Sequence, residues 1–182
     1  MPQGHKAFSL CSLRLRGEIS LHHNKHNSIR KTIFYYFKSM TAITVKADIR
    51  WSDIDPNFHV LHSKYYDYCA NARMTILANY GITMQTIQEE HVGPILFREE
   101  CVFKKELKFG DDIEIRIKLV KAAPDFSRWS FVNEIWKNGD TLAAVVTVDG
   151  AWMDTVKRKL TAPPDKFKEA FNKIPKSENY NQ

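Results

Sequence analysis

The alternation of apolar and polar positions becomes interpretable from Met40 onward. Ile43, Val45, Ala47, Ile49 and Trp51 alternate with Thr44, Lys46, Asp48 and Arg50, the period-two pattern of a strand with one buried face. A polar loop over 52–62 follows. Residues 64–80 then carry Tyr65, Tyr66, Tyr68, Cys69, Ala70, Ala72, Met74, Ile76, Leu77 and Tyr80 with no broad polar face. A helix of that kind is expected to be buried on most sides. Ser63 is its expected N-cap, Asp67 lies in its first turn, and Gly81 is its expected stop. Residues 84–90 read as a second, short helix.

Four strand signals come next. Residues 95–107 form the first, with Phe97, Cys101 and Phe103 on one side. In the second, Ile113, Ile115, Ile117 and Leu119 alternate with Glu114, Arg116 and Lys118. Residues 127–137 run into Asn138-Gly139, a strong hairpin signal. Residues 141–155 form a long strand expected to bend at Gly150. Lys108-Phe109-Gly110-Asp111 and Pro124-Asp125 supply the other turns. A final helix over 164–174 gathers Phe167, Ala170, Phe171 and Ile174 on one face, and 176–182 form a polar tail expected to fray. Hairpin-length connections require antiparallel neighbours. The prediction is an α+β domain over 40–175, an antiparallel sheet of about five strands wrapped around one long central helix.

Composition narrows the classes. The 182 residues are 43% hydrophobic, enough for one cored domain, and no apolar run is long enough for a membrane span. The net charge of +6 is local. Residues 1–39 hold seven basic residues against Glu18 alone, leaving 20 of the 27 basic and 20 of the 21 acidic residues to balance in the rest. The body therefore lacks the basic bias of a nucleic-acid-binding surface. The basic extension over 1–39 reads as a disordered tail, an organelle-targeting segment or a misassigned start ahead of Met40, with the last favoured. Cys11, Cys69 and Cys101 make an odd count without a CxxC. That argues against a disulfide framework and for a reducing, cytoplasmic setting, with Cys69 and Cys101 read as small buried hydrophobes.

The densest chemistry lies in "RWSDIDPNFHVLHSKYYDY", residues 50–68, where the first strand hands over to the long helix. Taken alone, Asp55-Pro56-Asn57 is an ordinary turn in which the Asp bonds its own backbone. His59 and His62 sit three apart in a proline-containing loop with no third ligand in view, so no metal site is expected. Asp53 reads as structural, fixing the loop or pairing with Arg50 or Arg73.

The order of elements and this motif together resemble the hotdog-fold acyl-CoA thioesterases, in particular the 4-hydroxybenzoyl-CoA thioesterase-like branch. The family pattern is a strand ending in Arg-aromatic, then D-x-D, then G-H-V, then a Tyr-rich helix with Ala-Arg. This chain carries Arg50-Trp51-Ser52-Asp53-Ile54-Asp55, His59-Val60, Tyr65, Tyr68 and Ala72-Arg73. "GPILFREECVFKKELKFGDDIEIRIKL" is similar to the family's second and third strands, and the resemblance covers about residues 42–163. It departs from the pattern at Phe58, where the family has Gly, and at Leu61-His62, where an Asn pair is frequent.

The resemblance implies that Asp55, the second Asp of D-x-D, is the catalytic carboxylate. It implies that a backbone N–H at His62, or at Ser63, holds the thioester oxygen. It further implies that His59 orients Asp55 or the loop, that Phe58 in place of the family Gly distorts the loop or narrows the acyl site, and that Tyr65 walls that site. Coenzyme A brings phosphates, for which Ser127, Arg128 and the run Lys157-Arg158-Lys159 are the candidate partners. The implied substrate is an acyl-CoA or acyl-carrier-protein thioester, without a cofactor, handled by a homodimer or homotetramer with the site between subunits. Two rival functions fit the same scaffold: a hotdog enoyl-CoA hydratase or dehydratase, faintly echoed by the Asp55–His59 stretch, and a non-catalytic module that binds acyl-CoA.

Overall fold

The computed structural model describes residues 42–181; the expectations for residues 1–39 lie outside them. The chain order is β1 (Ile43–Ala47), a 3-10 turn (Trp51–Asp53), α1 (His62–Asn79), α2 (Met84–Glu90), β2 (Val92–Phe103), β3 (Ile113–Ala122), β4 (Arg128–Lys137), β5 (Thr141–Asp154), β6 (Lys159–Leu160), α3 (Asp165–Lys173) and β7 (Lys176–Asn181). The main sheet runs β1-β3-β4-β5-β2, and each of these neighbours is antiparallel. This is the predicted hotdog arrangement, a curled sheet around the long helix α1.

Strict alternation builds the core. Ile113, Ile115, Ile117 and Leu119 on β3, Phe131 and Ile135 on β4, and Val146 and Val148 on β5 are all buried and all lie on one side of the sheet. Onto this side α1 lays Tyr65, Tyr68, Cys69, Ala72, Ile76 and Leu77. α3 contributes the predicted stripe of Phe167, Ala170, Phe171 and Ile174, all buried. Its phenylalanines meet Trp129, Phe131 and Trp152 at ring separations of 5.2–6.1 Å, within the range of favourable aromatic contacts.

Five local expectations are corrected. The first strand stops at Ala47 rather than running to Trp51, because Trp51 turns outward into a 3-10 turn and is 74% exposed. α1 begins at His62, one residue before the expected Ser63 cap. Its N-cap is Leu61, and no side chain caps it. α1 is also covered on one side only. His62, Ser63, Asp67, Ala70, Asn71 and Thr75 are exposed, because a sheet can wrap one face of a helix and leave the other. β2 has a bulge between Leu96 and Arg98, which takes Phe97 out of the expected alternation with Cys101 and Phe103. Lys176–Asn181, expected to fray, form β7 and pair in parallel with β3.

The Gly150 bend is not a turn but a close approach. A Cβ on residue 150 would lie 2.3 Å from the ring of Trp129 and 2.7 Å from the Ile95 carbonyl oxygen. Glycine lets β5 pass beneath the indole while pairing with Trp129 and Leu96 on its two sides.

Candidate active site

Between the 3-10 turn and α1 the chain closes a small hairpin. Ile54 bridges Val60, the Asp55 N–H donates to the His59 carbonyl at 2.8 Å, and the Phe58 N–H donates to the Asp55 carbonyl at 3.0 Å. Asp55, Pro56, Asn57 and Phe58 thus form a four-residue turn with proline in its preferred second place. The residue after the two central positions must adopt a left-handed conformation for the strands to rejoin. Phe58 does so, with φ of 64°. The family glycine therefore marks a backbone requirement, and this chain meets it with a phenylalanine whose ring is 77% exposed. The ring projects outward and the loop geometry is kept.

The Asp55 carboxylate is held inside that turn. Its Oδ1 accepts the Asn57 N–H at 2.8 Å and the His59 N–H at 3.1 Å. The His59 amide leads in holding the carboxyl below the ordinary carboxylate range. Burial acts against it, and Asn57 and the His59 ring act with it. Asp55 is therefore ionised at neutral pH, the form needed for a nucleophile or a general base. The His59 side chain turns away, with Nε2 3.4 Å from Glu106 Oε2. Glu106 also pairs with Lys108 at 2.9 Å. His59 thus fixes Asp55 through its backbone and the loop through its ring. Nothing in the sequence pointed to Glu106, which lies 47 residues downstream of His59.

Asp53 anchors the turn to the helix. It is buried and accepts the Arg50 N–H at 3.0 Å and the Tyr68 hydroxyl at 2.8 Å, with Lys64 Nζ at 3.8 Å. Burial pushes its carboxyl up, but the Tyr68 hydroxyl, the Arg50 amide and the Lys64 ammonium together outweigh burial and leave it below its ordinary value. The Asp53 carbonyl also accepts the Leu61 N–H at 2.8 Å, and the Leu107 carbonyl accepts the Val60 N–H at 2.8 Å. Arg73, weighed as a partner for Asp53, instead pairs with Glu99 at 2.9 Å. The helix pattern marks Tyr68 as a buried position and gives no sign of its bond to Asp53. Its spacing of 15 residues from Asp53 gives no periodic cue.

These bonds fix where α1 starts relative to the turn. Helix starts carry unpaired N–H groups and a partial positive charge. Here no side chain takes them, and the exposed His62 and Ser63 supply the first helical amides. Tyr65 lies one turn in and is buried. Its hydroxyl accepts the Leu107 N–H at 3.1 Å, and its ring meets Phe103 edge-on at 5.0 Å. Burial pushes the Cys69 thiol up to about 12 and the Cys101 thiol up to about 11, so neither serves as a thiolate at neutral pH. Among the described residues no group of three or more His, Cys, Asp or Glu gathers to hold a metal ion.

Ser127 and Arg128 stand elsewhere in the chain. Arg128 lies over Phe97 at 5.6 Å and borders an open cavity with Lys121, Ser130 and Asp149. Phe97 and Phe103 are six residues apart on β2, roughly 20 Å in an extended strand. A single chain therefore keeps Arg128 at the opposite end of β2 from Tyr65. Lys157, Arg158 and Lys159 are solvent-exposed around the turn into β6.

Sheet, helix and motif define a hotdog-fold protein. A family model described as the thioesterase-like superfamily matches residues 49–171, and the chain belongs to that superfamily. Solved structures agree on the fold. A 1,4-dihydroxy-2-naphthoyl-CoA thioesterase from Synechocystis is 17% identical with a TM-score of 0.66, over 72% of this chain and 96% of that one. A Staphylococcus aureus protein determined in complex with CoA is 17% identical with a TM-score of 0.68, over 75% and 87%. A gentisyl-coenzyme A thioesterase is 18% identical with a TM-score of 0.62, over 71% and 99%. A search of curated proteins found no match. No helix of the described residues is long and apolar enough to cross a membrane.

Proposed function

We propose that the protein hydrolyses an acyl-CoA or acyl-carrier-protein thioester, with Asp55 as nucleophile or general base and the N–H at His62 or Ser63 as oxyanion donor. The observation that carries this reading is an ionised carboxylate pinned in a turn that ends just ahead of an uncapped helix start. The chemistry asks for little more. A thiol leaving group with a pKa of roughly 8.5 departs without a strong acid. Asp55 either attacks the thioester carbon, giving an anhydride that water opens, or takes a proton from the attacking water. Either way negative charge grows on the former carbonyl oxygen, and one well-placed N–H there is worth about 10²–10³ in rate. Superfamily membership and the CoA complex of the Staphylococcus aureus protein support a CoA thioester as the substrate.

The working unit in this reading is a homodimer, or a tetramer built from it. β2 ends the main sheet path and carries exposed Leu96, Phe97, Val102 and Phe103. Two copies of β2 paired antiparallel about Glu100 would bring Phe97 of one beside Phe103 of the other. A two-fold axis makes that exchange reciprocal. Ser127 and Arg128 of one copy would then serve CoA phosphates at the Asp55 of the other. Tyr65 and Phe58 would border the acyl side.

Thiol release from aryl, short, medium and long acyl-CoAs tests the activity, with Asp55→Asn as control. The expected result is turnover of at least one class by the native protein and a loss of at least 10²-fold in Asp55→Asn, with an unchanged fold by circular dichroism. Water addition to an enoyl-CoA without thiol release would favour the hydratase alternative. Binding without turnover across the series would favour the non-catalytic module.

A further inference from the structure

The hairpin between β4 and β5 has a chemistry of its own. Its turn is Asn138-Gly139, exposed, with φ of 52° and 85°. An asparagine followed by glycine is open to attack on its side-chain amide by the next backbone nitrogen, because glycine has no Cβ to hinder the approach. The Gly139 nitrogen bonds to Asn138 Cγ, the Cγ–Nδ2 bond breaks, and the nitrogen's proton departs with the amide as ammonia. Water then opens the succinimide ring to aspartate or isoaspartate. One water is consumed and one ammonia released, and no enzyme is needed.

Here the amide is clamped. Its Nδ2 donates to Asp111 Oδ1 at 3.0 Å, its Oδ1 accepts the Asp112 N–H at 3.1 Å, and the Asn138 N–H donates to the Asp112 carbonyl at 2.8 Å. Asp111 is itself fixed. Its Oδ2 accepts the Lys108 N–H at 2.9 Å and lies 3.4 Å from Lys137 Nζ. Burial pushes its carboxyl up, but the Lys108 amide, the Asn138 amide and the Lys137 ammonium outweigh burial and hold it below the ordinary carboxylate range. The acceptor facing Asn138 Nδ2 is therefore charged at neutral pH, and hydrogen bonds to a charged partner are the stronger kind. Ring closure expels the very nitrogen that Asp111 holds, so the clamp opposes the reaction.

The clamped segment also reaches the candidate active site. Lys137 Nζ donates to the Glu106 carbonyl at 2.7 Å. Glu106 in turn meets the His59 ring, and Leu107 bonds the Val60 N–H and the Tyr65 hydroxyl. Residues 106–111 are thus tied to the hairpin on one side and to the Asp55 turn on the other.

We propose that Asn138 is a deamidation site kept dormant by the Asp111–Asp112 clamp, and that its conversion loosens the brace between the β4–β5 hairpin and residues 106–111. In the aspartate product the oxygen that accepts the Asp112 N–H survives, but a second carboxylate oxygen replaces the donor facing Asp111. Attraction becomes repulsion between like charges in contact. In isoaspartate an extra methylene also enters the main chain between Lys137 and Thr141, which pair across the hairpin. None of this depends on the chemistry at Asp55.

The test follows Asn138 by peptide mass mapping of the full chain held in mildly alkaline buffer, below the denaturation midpoint of every variant. The same chain unfolded in urea gives the unguarded rate. Deamidation at Asn138 is expected to be at least about tenfold slower in the native protein than in urea, the usual strength of one hydrogen bond to a charged group. Asp111→Ala removes the acceptor and is expected to restore most of the unguarded rate. Should that variant not fold, Asp111→Asn, which exchanges the charged acceptor for a neutral one, takes its place with an expected gain of about fivefold over the native protein. Equal rates in native and unfolded protein, or no gain in whichever variant folds, overturn the guard. The brace is read by amide hydrogen exchange in Asn138→Asp, a fixed copy of one product. Faster exchange of the Lys108 N–H, which Asp111 holds, upholds the loosening; unchanged exchange there overturns it.

Discussion

Two aspartates two residues apart have opposite assignments because their surroundings differ. Asp55 is half-buried in an otherwise exposed turn, with its carboxylate held by backbone N–H groups. Since those bonds lower its pKa, the acid limb of a kcat/KM profile assigned to Asp55 should fall below the ordinary value of about 3.9, leaving kcat/KM flat from pH 5 to 7 on that side. An inflection near 6 would assign the limb to another group. Asp53 is buried beneath Tyr68. Asp53→Ala is expected to cost about 2–3 kcal/mol in chemical denaturation, since it strands the Tyr68 hydroxyl. The folded-state pKa of Asp53 is lowered. Its contribution is therefore complete above about pH 4 and lost as the pH falls through the folded value. The stability gap between the native protein and Asp53→Asn should accordingly narrow in acid, and a gap that widened would contradict the assignment. Phe58 presents a different balance: left-handed backbone costs a residue with a Cβ about 1 kcal/mol, so Phe58→Gly should raise stability by up to that amount, measured as a shift in the denaturation midpoint.

At the level of elements, alternation made most of the sheet legible. The inward isoleucines of β3 and the Asn138-Gly139 turn, whose residues have φ of 52° and 85°, stand where the pattern put them. The exceptions have local causes. Trp51 satisfied the period of β1 but belongs to a tight turn, which periodicity cannot distinguish from one more strand step. Ser63 looked like a cap, yet the helix begins on the Leu61 backbone because the Asp53 carbonyl and the preceding hairpin fix its entry. The candidate site was legible as a motif, since Asp55 and the helix start are close in sequence. Its supports were not: Glu106, Leu107 and Glu99 arrive from β2 and the loop beyond it, and only the fold brings them near. α3 closes one part of the core with Phe167 and Phe171, and Phe171→Ala is expected to cost about 3–5 kcal/mol in the same denaturation assay, the usual toll for emptying a phenylalanine site.

At the scale of the whole molecule, the main question is what lies against β2. An exposed strand edge that also carries apolar side chains invites pairing. Val102 is 48% exposed there, and a lysine at this place is a common device against edge pairing. If two copies join along β2, Val102→Lys should halve the mass seen by light scattering and reduce thioester turnover with it. A variant that stayed dimeric and active would move the interface elsewhere. The proposed shared site is legible in the sequence only through its resemblance, and a single chain keeps Arg128 at the opposite end of β2 from Tyr65.

The aromatic cluster beneath α3 has a practical consequence. Trp129 and Trp152 are buried against Phe167 and Phe171, whereas Trp51 faces solvent. Ultraviolet emission from this protein should therefore contain a blue component from the enclosed indoles and a red one from Trp51 and the half-buried Trp136. Undocking of the last helix would redden only the first, giving an unlabelled optical gauge of how tightly that part of the core is shut.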